Sequence, residues 1–323
     1  MNTLKNKVWL SFLVILVFAC GKKQESLTPE IEKGLLQNQT IRILGNEREY
    51  HLYIPENPTN APLVILFHGN GGDFDAMLGL TGVKAPYKVW LNLAQLQNLI
   101  IAVPNGNLGS NNSRGWNDCR SDNQTNPTSD DVLFVSELID FISTKYQSDN
   151  TKVFAVGTSN GGIFVQRLAD EIPHKITAFA SIISARPINS VCSNSTTKVS
   201  ALFMNGTKDD IVPYAGGQVA NNRGEVLSIE STVEYWIIRN GTETTPEVSD
   251  MSNINITDNS TITKFLYKNG ENNTQVLFYK VINGGHTEPS ITERYSTFFL
   301  QLVGNQNGDV EMANEVWNFF KDK

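Results

Sequence analysis

Short β-branched apolar runs alternate with helix-period segments along most of this chain, and that alternation leaves few folds open. Tyr50–Pro55, Pro62–Phe67, Leu99–Val103, Lys152–Val156, Ile176–Ile183, Ala201–Met204 and Gln275–Val281 read as strands. Tyr87–Gln97, Asp131–Tyr146, Asn160–Glu171, Glu225–Arg239 and Val310–Phe320 read as helices. In Asp131–Tyr146 the apolar residues Val132, Val135, Leu138, Ile139 and Ile142 share one face, with Asp130 or Asp131 as N-cap. Such a pattern predicts an α/β fold: a largely parallel sheet covered by helices on both faces. Its chemistry belongs in the loops at the C-terminal ends of the strands. The Asn-rich and Ser/Thr-rich stretches Asn105–Thr128 and Gly241–Ser260 read as loops, and no repeat or linker divides the chain.

The first residues read as a targeting segment. Lys5 and Lys7 precede an apolar run, Val8–Phe18, too short to span a bilayer comfortably. The run ends at Val17-Phe18-Ala19-Cys20-Gly21, which resembles a bacterial lipobox whose cysteine is acylated, although Phe18 is bulkier than usual there. The expected organisation is a signal peptide over 1–19, a lipidated tether over 20–29 and a catalytic domain over 30–323. That places the protein outside the cytoplasm, extracellular or periplasmic, held to a membrane by lipid alone. With Cys20 lipidated, two of the three cysteines remain. Export favours a disulfide between Cys119 and Cys192 over two buried free thiols.

Gly157-Thr158-Ser159-Asn160-Gly161 joins a β-type run to an amphipathic helix, which is the context a nucleophilic serine needs. A sharp strand-to-helix turn exposes the Ser159 hydroxyl at a helix N-terminus, where developing negative charge is favoured. A serine needs a base, and the base needs an orienting group. The chain has four histidines. His51 and His68 precede the serine, and His174 follows its helix too closely. His286, in Asn283-Gly284-Gly285-His286-Thr287 after a strand, fits the order Ser, acid, His. The acid falls in Asn205–Tyr214, where Asp209 and Asp210 compete. His68-Gly69-Asn70-Gly71-Gly72 follows the strand ending at Phe67 and offers an oxyanion loop. Its donors would be the amide of Asn70 or Gly71, with the amide of Asn160.

With these pieces placed, the chain resembles the polyhydroxybutyrate depolymerase and feruloyl esterase group of secreted α/β-hydrolases. The resemblance rests on Pro62–Gly72, Gly115-Trp116-Asn117, Asp130-Asp131-Val132, Val153–Leu168, Asn205–Tyr214 with Gly216-Gly217, Gly284–Pro289 and Val316–Phe320. It implies the α/β-hydrolase fold and a triad of Ser159, Asp209 and His286. It also implies action on esters of hydroxy acids or of plant cell-wall polysaccharides, with Trp116 and Asn117 beside the acyl site. One departure stands out: Glu288 replaces a tryptophan common just after the histidine. A carboxylate there removes a stacking surface and makes a polar, partly negative rim.

Net charge is −7, with no basic cluster, which argues against nucleic acid or an anionic membrane as partner. No H-x-x-H or C-x-x-C spacing occurs, so neither metal nor cofactor is expected. The sequence therefore predicts a serine esterase for feruloyl or acetyl esters of polysaccharides. Polyhydroxyalkanoate oligomers are the alternative substrate. A peptidase or lipase on the same fold is the enzymatic competitor, and a non-catalytic surface-binding lipoprotein is the competitor outside catalysis.

Overall fold

A computed structural model describes residues 32–323. The expected signal peptide, the Cys20 lipidation site and the tether to residue 29 lie outside the described residues. Ten strands form one sheet: β1 Gly34–Ile43, β2 Asn46–Ile54, β3 Leu63–Phe67, β4 Ile100–Pro104, β5 Val153–Thr158, β6 Ala178–Ile182, β7 Ser200–Gly206, β8 Glu247–Asp250, β9 Thr261–Tyr267 and β10 Val276–Ile282. Their spatial order is β1-β2-β4-β3-β5-β6-β7-β10-β9-β8. The six strands from β4 to β10 are mutually parallel, and antiparallel ribbons flank them on each side. This is the α/β-hydrolase arrangement that the resemblance implied.

The central strands are buried on both faces, which is why they read as continuous apolar runs. Side chains alternate between two cores. Leu63, Ile65, Phe67, Val153 and Ala155 face one core, and Val64, Leu66, Phe154 and Val156 face the other. Of the seven α-helices among the described residues, α3 Asp131–Tyr146, α4 Asn160–Glu171 and α5 Ile229–Asn240 cover the first face. On the second lie α2 Val89–Gln97 and α7 Met312–Phe320, where Phe320 stacks on Phe154 at 4.6 Å. The short helices α1 Phe74–Met77 and α6 Thr297–Val303 stand near the cleft described below. No helix among the described residues is long and apolar enough to cross a membrane.

Strand order reverses between β3 and β5. After β3 the chain steps outward to β4, then crosses back to lay β5 on the other side of β3. At such a switch point the loops leaving the two strands diverge and open a crevice. One of those loops is His68–Gly72 and the other carries Ser159.

Candidate active site

Ser159 follows β5 directly and is the N-cap residue of α4, with φ 53° and ψ −119°, a conformation that residues other than glycine rarely adopt. The Ser159 N–H donates to the Ile182 carbonyl at 2.9 Å, and its carbonyl accepts the first helical bond, from Ile163 N–H. The hydroxyl makes no capping bond to the helix. The turn needs glycines because backbone crosses backbone. A Cβ on Gly157 would strike the Gly161 carbonyl, and one on Gly161 would strike the carbonyls of Phe67 and His68.

Loops after β7 and β10 bring an acid and an imidazole to the same cleft. Asp209 is buried, and its Oδ1 accepts the N–H groups of Ile211 and Val212 at 2.9 and 2.8 Å. Its Oδ2 accepts from His286 Nδ1 at 2.7 Å. With Nδ1–H so donated, His286 Nε2 holds the lone pair that a general base uses. His286 N–H is fixed in turn on the Val303 carbonyl at 2.6 Å. Asp210 is exposed, so of the two competing carboxylates only Asp209 reaches the histidine. Ser159 and His286 line one cleft of about 500 Å³, together with the His68–Gly72 loop, Tyr87, Thr158 and Glu288.

The two expected oxyanion donors of the glycine loop separate cleanly. Gly71 N–H is spent on the Arg114 carbonyl at 2.7 Å. The Asn70 N–H donates to no protein group among the described residues and belongs to a residue lining the cleft. Asn160 is the first residue of α4, where the amide has no intrahelical acceptor. Its buried side chain is a splint. Oδ1 accepts from Trp116 N–H at 2.7 Å, while Nδ2 donates to the Trp116 carbonyl at 3.0 Å and to Asp118 Oδ2 at 2.5 Å. An Arg120–Asp118 ion pair at 2.6 Å backs that carboxylate.

His68 is structural. Its Nδ1–H donates to Gly69 O at 2.8 Å and its Nε2 accepts from Gly106 N–H at 2.9 Å. Burial is the chief cause that pulls its pKa down to about 4, so the ring is neutral at ordinary pH. His51 is similarly occupied by Asn38 N–H and Asp75, and His174 is exposed.

Three expectations need correction. Trp116 is fully buried and does not line the cleft; it stacks on Phe164 at 5.2 Å and donates Nε1–H to the His68 carbonyl at 2.9 Å. Asn117 does not line the cleft either: its Nδ2 donates to the Ser129 carbonyl at 3.2 Å, while its backbone N–H donates to Asp131 at 2.8 Å and its carbonyl accepts from Arg167 at 2.6 Å. The pair supports the glycine loop after β3 and the start of α3 from behind. Glu288 does line the cleft, but as part of its floor and not its rim, at 5% exposure. Thr158 Oγ1–H donates to its Oε1, Tyr295 Oη–H donates to its Oε2 at 2.6 Å, and Gln306 holds its carbonyl at 2.9 Å. Tyr87 and Tyr295 complete this floor, and nothing in their local sequence marks them. Cys119 and Cys192 are joined as a disulfide, Cα–Cα 5.5 Å, beside the Asp118–Arg120 pair. Glu171 is near those sulfurs, but with both sulfurs in the disulfide the group offers no thiolate ligand.

No protein-family model matches the chain. It is similar to the bifunctional acetylxylan esterase/xylanase of Neocallimastix patriciarum, 28% identical over 178 residues. That match covers 55% of this chain and 24% of the relative. It is also similar to feruloyl esterase D of Neurospora crassa, 27% identical over 211 residues, 63% of this chain and 65% of that one. Among solved structures, the acetyl xylan esterase of Aspergillus awamori superimposes with a TM-score of 0.49 at 15% identity, covering 76% of this chain and 92% of that one.

Proposed function

We propose that this chain is a serine carboxylic ester hydrolase. The observation that carries the reading is the His286 Nδ1–Asp209 hydrogen bond of 2.7 Å in the cleft that also holds the strained Ser159. In the proposed reaction Ser159 Oγ attacks the ester carbonyl while its proton passes to His286 Nε2. The tetrahedral oxyanion is met by the N–H groups of Asn70 and Asn160. Collapse breaks the C–O bond, and His286 returns its proton to the departing alcohol. Water, deprotonated by the same nitrogen, then releases the acid and restores Ser159. Asp209 holds the ring in the required tautomer and balances the imidazolium charge.

The substrate class we propose is acyl esters of polysaccharides, of acetyl or feruloyl type, in keeping with the names borne by the relatives. Oligomers of hydroxyalkanoates are the second reading. Cys20 would be acylated, tethering the enzyme outside the cytoplasm, and incorporation of labelled fatty acid into wild type but not Cys20→Ser tests that. For the substrate, kcat/KM on an acetylated xylooligosaccharide, methyl ferulate and a hydroxybutyrate trimer should rank a carbohydrate or hydroxycinnamoyl ester first. A trimer preferred by more than about tenfold, roughly 1.4 kcal/mol in transition-state binding, would overturn the carbohydrate reading.

A further inference from the structure

The cleft floor holds a group that the proposed chemistry does not use. Tyr87 lines the cleft yet is 3% exposed, and its hydroxyl has no hydrogen-bond partner among the described residues. A buried hydroxyl without a partner costs free energy that a hydrophobic residue of the same shape would avoid. Burial, and after it the neighbouring Glu288 carboxylate, push the Tyr87 pKa well above the phenol range, with the nearby Thr158 hydroxyl opposing. Tyr87 therefore stays a neutral O–H with a proton to give. Thr158 directs its own proton to Glu288 and Tyr295 does the same, so each Glu288 oxygen has one donor and retains capacity for another.

The floor lies close to the nucleophile. A Cβ placed on Gly69 would stand 3.3 Å from Ser159 Cβ and 3.8 Å from Thr158 Cγ2, so both side chains border the same spot. The walls that carry Tyr87 and Tyr295 are clasped together. Glu293 pairs with Lys84 at 3.5 Å and accepts Ala85 N–H at 3.4 Å, while Gln306 takes Tyr295 N–H at 2.8 Å. The donor and the carboxylate are thus held in place before any ligand enters.

One donor beside one carboxylate acceptor matches a hydroxyl, which needs both at once. We propose that Tyr87 and Glu288 form a hydroxyl-recognition subsite, which selects esters bearing a free hydroxyl within a few bonds of the scissile carbonyl. This rests on the esterase reading above and adds a specificity determinant to it. The hydroxyl has two possible sources, the acyl chain or the alcohol, as in a sugar carbon next to the acylated one.

Two pairs of soluble esters separate these sources. Ethyl 3-hydroxybutyrate against ethyl butyrate places the hydroxyl on the acyl side. cis-2-Acetoxycyclohexanol against cyclohexyl acetate places it on the alcohol side. The measured quantity is the ratio of kcat/KM within each pair for wild type, Tyr87→Phe and Glu288→Gln. Wild type should favour the hydroxylated member of at least one pair by about tenfold or more. Tyr87→Phe removes a single hydroxyl and keeps the ring that fills the floor, and with circular dichroism showing an unchanged fold it should cut that ratio by about fivefold. Glu288→Gln keeps the shape and loses the charge, and should lower the ratio further. Hydrolysis of both members at equal rates, or a ratio untouched by Tyr87→Phe, overturns the subsite and leaves the esterase reading standing. No hydrolysis of any of the four esters, with no labelling by an active-site phosphonate, overturns both.

Discussion

At the residue scale, neighbouring side chains of the same type divide into used and unused by direction alone. Asp209 receives two backbone N–H groups on one oxygen and the His286 ring on the other, while Asp210 is exposed. Replacing Asp209 with Asn should cut kcat by about 10⁴ while the protein stays folded, because an amide favours the wrong imidazole tautomer. Asp210→Asn should change kcat less than about twofold, since surface carboxylates away from a site do little. Steady-state kinetics with circular dichroism on both variants checks the pair. His68 gives a second expectation. Its native pKa of about 4 lies below the 6.5 of a free imidazole, so between those values the unfolded chain binds a proton that the native chain does not. Its contribution to stability is whole above pH 6.5 and falls as the pH drops towards 4. The loss is of order 3 kcal/mol at most. Urea unfolding at about pH 7 and about pH 4.5 should show wild type losing more stability than His68→Gln on acidification; equal losses would contradict it.

At the element scale, the elbow and its glycines decide whether the site forms. Gly161→Ala drives a methyl into the carbonyls of Phe67 and His68, and should destabilise by about 1–3 kcal/mol and lower kcat by displacing the Asn160 amide. Chemical denaturation and kinetics on the same preparation test both. Much of this level was legible from sequence. The helices at Asp131–Tyr146 and Asn160–Glu171 fall where periodicity and capping place them, since Asp130 caps the first through Leu133 N–H. Other elements were hidden for physical reasons. β1 and β9 lie towards the sheet margins with mixed exposure, and β8 is exposed throughout, so none presents an apolar run. The segment Glu225–Arg239, read as one helix, is a two-residue strand, Glu225–Val226, and then α5, which begins after its N-cap Ser228. Trp116 was misplaced because an aromatic residue beside a glycine looks alike from sequence whether it floors a cleft or fills a core. Its full burial, its stacking on Phe164 and its bond to the His68 carbonyl put it in the core. Gly71 posed the same problem, since the sequence could not reveal that Arg114 had claimed its amide.

For the whole molecule, one covalent tie spans the site's back wall. The Cys119–Cys192 disulfide joins residues 73 positions apart and anchors the loop whose Trp116 and Asp118 hold Asn160. Closing a loop of that length contributes up to roughly 4 kcal/mol on the chain-entropy picture. Cys119→Ser with Cys192→Ser should therefore lower Tm in the absence of reductant, and wild type in reductant should fall towards the same Tm. A double variant as stable as oxidised wild type would contradict this. The most direct measurement of all is labelling with a fluorophosphonate, followed by peptide mapping. The adduct is expected on Ser159 alone, abolished by Ser159→Ala and strongly slowed by His286→Ala, because only a serine activated by its base attacks phosphorus. No adduct on the folded protein, or one carried by another residue and unaffected by Ser159→Ala, would contradict the assignment of this cleft as a serine hydrolase site.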